Sequence, residues 1–131
     1  MVTRDLYSNI HGAVSLDPHG HDSSADGSSV DLRGYDSATT MIVVGDVTDE
    51  GNVVKVQHAD ADDAGDPDTW EDVDDGDLSG GDNGVTVDND AAQSVIERGY
   101  HGDRRFLRLT VDGSGNAELC GMVVRGHPHV R

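Results

Sequence analysis

The sequence has little positive charge, few aromatic residues and a single cysteine. Among its 131 residues, nine are Lys or Arg and 26 are Asp or Glu, which gives a formal net charge of −17. Lys55 is the only lysine, so every other basic residue is an arginine. Aromatic residues make up 4% and apolar residues 34% of the chain, below the usual apolar share of about 45–50%. These shortages predict a valine-rich core of small side chains, with much of the chain in exposed loops.

What is missing also disfavours several classes of protein. The scarcity of cations argues against a nucleic-acid partner, because phosphate backbones are bound by Lys and Arg. No apolar run approaches the length of about 18 residues that a membrane span needs. Cys120 has no cysteine to pair with, and within LCGMVV it is predicted to be a buried small hydrophobe instead of a reactive thiol. No serine lies in a G-x-S-x-G pattern or beside a patterned His and Asp, so no enzyme is predicted.

The excess of carboxylates predicts adaptation to a hypersaline medium. A large charge of one sign opposes compaction in dilute solution. In about 1 M salt the Debye length falls to about 3 Å, so this repulsion largely vanishes. A disordered acidic segment and a calcium-loaded protein are the alternatives, and disorder fits poorly with the regular alternation of valines along the chain.

Short alternating apolar stretches separated by turn formers predict an all-β fold. We expect seven or eight strands, at residues 5–16, 30–35, 37–47, 53–58, 105–111 and 117–124 and within 85–96. No span of about twelve residues combines helical apolar spacing with caps at both ends. The sequence therefore predicts one domain over residues 1–131, an antiparallel, jelly-roll-like β-sandwich with long acidic loops at about 17–29 and 59–84.

Two pairs of neighbouring strands are predicted to form hairpins. The β-branched run 37–47 is expected to be buried on both faces and to pair with 53–58 across the turn at 49–52. The second and better-formed pair joins 105–111 to 117–124 through the five-residue loop DGSGN. We expect its apolar side chains to face the core, with Arg108 on the opposite face.

The acidic loop at residues 60–71 partly matches the calcium-loop pattern D-x-[DN]-x-[DN]-G-x5-E. The candidate ligands are Asp60, Asp62, Asp68 and Glu71. Ala64 stands where the pattern requires Asp or Asn, and the flanks read as strands, whereas this loop normally joins two helices. A partial match also arises by composition in so acidic a chain. No cofactor is predicted beyond surface calcium or magnesium ions, and a solvated loop is the alternative.

Histidines form two close pairs, His19 with His21 and His127 with His129. An H-x-H pair on an extended segment places both imidazoles on one side, which suits a transition metal. Both pairs lie in segments rich in glycine or proline and lack a spaced third ligand, so surface histidines are the alternative.

The arginines are concentrated in one part of the chain. The candidate interface residues are Arg98, Arg104, Arg105, Arg108 and Arg125. Arginine pairs with carboxylates in a bidentate geometry, which suits protein interfaces better than lysine does. The cluster predicts contact with an acidic neighbour, either another copy or a larger acidic assembly. The alternative is ion pairing with aspartates of the same chain, which is worth little at a surface.

Three patches carry a resemblance to a known family. They are VDLRGYDSATTMIVVGDV, VKVQHADADDAGDPDTWEDVDDGDLSG and GYHGDRRFLRLTVDGSGNAELCGMVVRGHPH. Together they cover roughly residues 30–129, and they resemble small β-sandwich capsid decoration proteins of tailed viruses. With the acidic composition, the resemblance implies a haloarchaeal tailed virus.

The resemblance implies a structural protein on the exterior of a virion. Its expected partner is the major capsid protein, and the expected assembly is a trimer or a pentameric or hexameric turret. Such a protein stabilises the shell by binding its assembled form or contacts the host. Two alternatives remain: another virion part, such as a tail or connector subunit, and an adhesion module that binds calcium and carbohydrate.

Overall fold

Two antiparallel β-sheets pack against each other in the computed structural model, which describes residues 5–129. The strands are β1 (Ile10–His21), β2 (Ala25–Asp26), β3 (Val30–Asp31), β4 (Tyr35–Asp49), β5 (Asn52–Ala59), β6 (Glu71–Asp72), β7 (Leu78–Ser79), β8 (Val85–Val87), β9 (Ser94–Tyr100), β10 (Phe106–Asp112) and β11 (Asn116–Pro128). Short 3-10 turns lie at Tyr7–Asn9, Asp75–Asp77 and Asn89–Ala91. The predicted antiparallel β-sandwich is confirmed.

The two sheets divide the strands as follows. Sheet A has the order β1-β11-β4-β9-β7. Sheet B has the order β2-β10-β5-β6, and β3 pairs with β10 while β8 pairs with β5. The core lies between the sheets and is built mainly of Val, Leu and Ile. Its largest fully buried side chains include Ile42 from sheet A and Leu107 and Leu109 from sheet B.

The central strand β4 is buried on one face only. Thr40, Ile42 and Val44 are at most 2% exposed, whereas Val43 is 38% exposed. Successive side chains of a strand point to opposite faces, so Val43 projects from the outside of sheet A. The prediction that this run is buried on both faces is therefore wrong. Apolar residues at both parities of a strand do not require a layer of protein on each side.

Both predicted hairpins are wrong, because each turn carries the chain from one sheet to the other. β4 pairs with β9 and β11, and β5 pairs with β6, β8 and β10. The same division separates β10 in sheet B from β11 in sheet A. A turn-forming sequence specifies a chain reversal, and a reversal can join facing sheets as well as neighbouring strands.

The two sheet-crossing turns pack against each other at one end of the sandwich. Asn52 is fully buried there. Its Oδ1 accepts a hydrogen bond from the Gly115 N–H at 3.1 Å, and its Nδ2 donates to the His21 carbonyl at 2.9 Å. A Cβ atom on Gly115 would lie 2.5 Å from the Asp49 carbonyl oxygen, so this close approach of the two turns requires glycine.

The two long acidic loops contain more strand than their composition predicts. β1 continues through the bulges after Val14 and ends at His21, inside the predicted loop 17–29. Within 59–84, β6 and β7 add to the sheets. Asn83 helps to fix this segment, because its side chain bonds the N–H and C=O of Val56 at 2.8 and 2.9 Å and the Val73 carbonyl at 2.8 Å. These loops are therefore tied to both sheets by backbone pairing, and the second loop is also tied to sheet B by the Asn83 hydrogen bonds.

Candidate functional site

Arg104 and Arg105 follow β9 and pair with carboxylates of the same chain. Arg105 binds Asp31 in a bidentate manner, with Nε–Oδ1 and Nη2–Oδ2 distances of 3.0 and 2.8 Å. These hydrogen bonds hold the pKa of Asp31 below its usual value. Arg104 lies 3.3 Å from an Asp60 carboxylate oxygen and 3.5 Å from one of Glu71. Both guanidinium groups thus have anionic partners within the described chain.

Arg108 projects from the outside of sheet B, as predicted, and is covered there. Its Nε donates to Gln57 Oε1 at 2.9 Å, and its Cζ lies 4.4 Å from the centre of the Trp70 ring. Asp26 adds a carboxylate oxygen at 3.8 Å from Nη2. Only 17% of the Arg108 side chain is exposed, because the segment before β6 folds over it.

Arg98 and Arg125 occupy two further places. The Arg125 guanidinium lies 4.7 Å from the Tyr35 ring centre and donates from Nη1 to the Asp31 carbonyl at 3.2 Å. Arg98 donates to the carbonyls of Asp82 and Glu97 at 3.1 and 2.9 Å. The five candidate arginines therefore do not form one patch, and each is held by groups of its own chain. Contact of any of them with a neighbour stays a prediction.

The hollow beside Arg104 and Arg105 is the place where the most arginines come together. It has a volume of about 400 Å³ and is also lined by Arg33 and Tyr100. The Tyr100 hydroxyl contacts His58 Nδ1 at 2.9 Å and accepts a hydrogen bond from the Arg104 N–H at 3.1 Å. Burial raises the pKa of Tyr100. The Tyr100–His58 pair connects β9 of sheet A with β5 of sheet B, and its position suits a structural role.

The acidic loop is organised by its own backbone. Asp62 Oδ1 accepts hydrogen bonds from the N–H groups of Ala64 and Asp66, both at 2.9 Å. Asp68 donates its backbone N–H to the Asp60 carbonyl. Among the candidate calcium ligands, the carboxylates of Asp60 and Glu71 are brought together, and Arg104 lies between them. Over residues 5–129, no group of three or more metal-ligating side chains gathers, and a cation at this loop stays a prediction.

The histidine pairs adopt two different arrangements. His19 and His21 stack with ring centres 3.9 Å apart, and His21 contacts the Asp17 carbonyl at 2.9 Å. His127 contacts the Ser37 hydroxyl at 2.7 Å, whereas His129 pairs with Asp36 at 2.5 Å. Their described polar contacts go to backbone, hydroxyl and carboxylate groups of the same chain.

The most distinctive surface is one that the sequence did not reveal. The outer side of sheet A carries seven adjacent apolar side chains, which we call the valine–methionine face: Val14, Met41, Val43, Val95, Cys120, Met122 and Val124. Val14, Val43 and Val95 are 53%, 38% and 51% exposed. Cys120, predicted to be buried in the core, lies on this face and is half-buried. The sequence carries a signal for this face, because apolar residues occupy alternate and intervening positions of both β4 and β11. We predicted burial on both faces for residues 37–47 and a core-facing position for the apolar residues of 117–124.

Comparison with protein-family models, with curated proteins and with solved structures finds no match for this chain. Among residues 5–129 there is also no helix that is long and apolar enough to cross a membrane.

Proposed function

We propose that this chain is a structural virion protein that decorates the outside of the capsid of a haloarchaeal tailed virus and stabilises the shell. The observation that carries the proposal is the valine–methionine face on a chain of net charge −17. Large exposed apolar patches on soluble proteins mark sites of association. A protein with such a face and an otherwise acidic surface is suited to assembly, which is the role of decoration proteins.

A medium of high salt explains how one molecule can combine an exposed apolar face with a large negative charge. In about 1 M salt the Debye length is about 3 Å, so carboxylates on neighbouring molecules no longer repel over any useful distance. Apolar burial keeps its strength there or gains from salts that are excluded from protein surfaces. Association through an apolar face is therefore favoured in the conditions that a highly acidic chain needs.

The arginine-lined hollow supports the proposed contact with an acidic capsid. Arg104 and Arg105 have side chains that are 28% and 30% exposed, and a guanidinium has five N–H donors. Each can therefore accept a further carboxylate beside its partner in the chain. An acidic loop of the major capsid protein has the charge that suits this hollow.

Localisation in purified virions tests the proposal. Antibody-labelled or tagged particles imaged by cryo-electron microscopy should show the protein on the head, in a regular lattice arrangement. Assembled shells, but not unassembled capsid subunits, should bind the purified protein in high salt. Signal restricted to the tail would favour a tail or connector subunit, and absence from washed particles would overturn the virion role altogether.

A further inference from the structure

We infer that the valine–methionine face is covered by a second copy of this chain, so that two sheets A pack face to face about a twofold axis near Cys120. This inference names the occupant of the surface on which the proposed function rests. It needs no virion, and its test can fail while localisation on the capsid succeeds.

The face is continuous across the four long strands of sheet A. Val14, Met122 and Met41 lie side by side on β1, β11 and β4, because Val14 pairs with Met122 and Met122 with Met41. The next row toward the other end of β4 contains Cys120, Val43 and Val95, which are paired in the same way. Cys120, Met122, Met41 and Val43 therefore form the centre of the face.

The exposed apolar surface extends beyond these strands. Leu6 and Tyr7 are 64% and 89% exposed and lie at the start of the 3-10 turn that leads into β1. Leu6 lines a hollow together with Val124 and Thr39. Within the described part of the chain, all five exposed large hydrophobic residues, Leu6, Tyr7, Val14, Val43 and Val95, thus lie on or beside this one side of the sandwich.

The charges of the face fit a second copy. Carboxylates border the centre on the outside of sheet A, because Glu97 of β9 pairs with Met41, and Glu118 lies two residues before Cys120 on β11. No described arginine or lysine projects there, since Arg98 and Arg125 lie in rows that point inward. The centre therefore offers a partner no ion pair. An identical apolar centre matches it when the bordering carboxylates stay at the solvated rim, since an unpaired buried charge would be costly.

The area also fits a dimer. The four strands span about 19 Å at a spacing of about 4.8 Å, and residues 37–45 of β4 span about 30 Å at about 3.4 Å per residue. The flat area of about 570 Å² is enlarged by side-chain relief and by Leu6 and Tyr7, toward the roughly 800 Å² that a standard interface takes from each partner. Sheets that pack face to face in this manner form the interior of ordinary β-sandwiches.

The salt dependence of self-association distinguishes a second copy from a basic partner. Two copies that each carry a charge of −17 repel at low ionic strength, so association should strengthen as salt rises. A partner that met the face with a basic rim around Glu97 and Glu118 would show the opposite trend, because salt weakens attraction between opposite charges.

The test measures self-association by sedimentation equilibrium over a range of salt and protein concentrations. We expect a monomer–dimer equilibrium that shifts toward dimer with rising salt. Val43→Asp and Val95→Asp should each weaken association by about a hundredfold, because like charges would be buried opposite each other. Thr86→Asp is the matched control, since Thr86 is exposed on β8 of sheet B. Circular dichroism and melting of each variant show whether the monomer remains folded.

Cys120 supplies an independent readout that does not depend on a destabilising variant. It is the one cysteine of the chain, and in the proposed dimer two copies lie near the axis. A short bismaleimide, to which each thiol adds across one double bond, should double the mass of the wild type and of Thr86→Asp, but not of Val43→Asp. A monomer at every salt and protein concentration would overturn the proposal. Oligomers that persist in both valine variants, or that leave Cys120 beyond crosslinking, would overturn it as well.

Discussion

The outer faces of the two sheets contrast in how their side chains are satisfied. On sheet B, Arg108 stacks on Trp70 and bonds Gln57, and Lys55 lies 3.6 Å from an Asp72 carboxylate oxygen. The acidic loops of the same chain thus supply the partners for that face. On sheet A, the outward residues are mostly apolar and no described loop covers the centre of the face. The outer face of sheet B is covered by loops of its own chain, whereas the outer face of sheet A is suited to being covered by a second molecule.

Removing a side chain from the shared core should have the largest effect. Leu109 of sheet B is fully buried, so Leu109→Ala should lower the free energy of unfolding by about 2–5 kcal/mol. Val43→Ala, on the outside of sheet A, should change the free energy of unfolding by less than about 0.5 kcal/mol in dilute protein. Denaturant unfolding at one fixed salt concentration measures both. Equal losses for the two variants would show that the valine–methionine face is packed within the monomer.

An intermediate effect is expected from the ion pair beside the hollow. Asp31→Asn removes the charged partner of Arg105 and should cost about 1 kcal/mol at neutral pH, because both side chains are partly exposed. The pKa of Asp31 is lowered in the folded state, so its contribution is present above the unfolded value of about 3.9 and is lost as pH falls through the folded value.

Unfolding curves of wild type and Asp31→Asn between neutral and acid pH measure this difference. The difference in free energy of unfolding between the two proteins should disappear below about pH 4. The exposed Asp63 provides the control variant Asp63→Asn, for which we expect no comparable gap. A gap for Asp31→Asn that does not change with pH would show that the carboxylate charge is not what stabilises this pair.

The smallest effect is expected on the covered face of sheet B. Arg108→Ala should cost about 0.5–1 kcal/mol through the lost contact with Trp70, and the emission of the single tryptophan should change. Self-association should not change, and Arg33→Ala, at an exposed arginine, serves as the control. Loss of the dimer in Arg108→Ala alone would place the interface on sheet B and restore the arginine hypothesis.

The fold class could be predicted because alternation in a strand is a local property. β5 and β10 lie close to the predicted segments, since valines and leucines at every second position identify a core-facing side. The sheet that each strand joins was not predictable, because a turn such as DGSGN limits the direction of the chain and not its partner. The bulges that extend β1 to His21 likewise depend on β11, which is distant in sequence.

The surfaces were harder to predict than the strands. The position of Arg108 on the outside of its strand followed from alternation, but its cover by Trp70 depends on a long loop whose path the composition does not specify. Val43 and Cys120 were assigned to the interior because hydrophobicity alone does not distinguish a core from an apolar surface. Composition gives the large negative charge of the chain, whereas the uncharged face became visible only when β1, β11, β4 and β9 were placed side by side.

The position of β1 also has a consequence for how the chain folds. Among the strands that the structure describes, β1 pairs with β11 alone, and Ile10 pairs with Gly126. During synthesis the first strand must wait until β11 has emerged before it can pair. Folds dominated by such distant contacts form slowly, because the loss of chain entropy on closing a long loop precedes the gain from pairing. The nascent chain should therefore complete sheet A, and with it the apolar outer face, only once β11 is available for pairing.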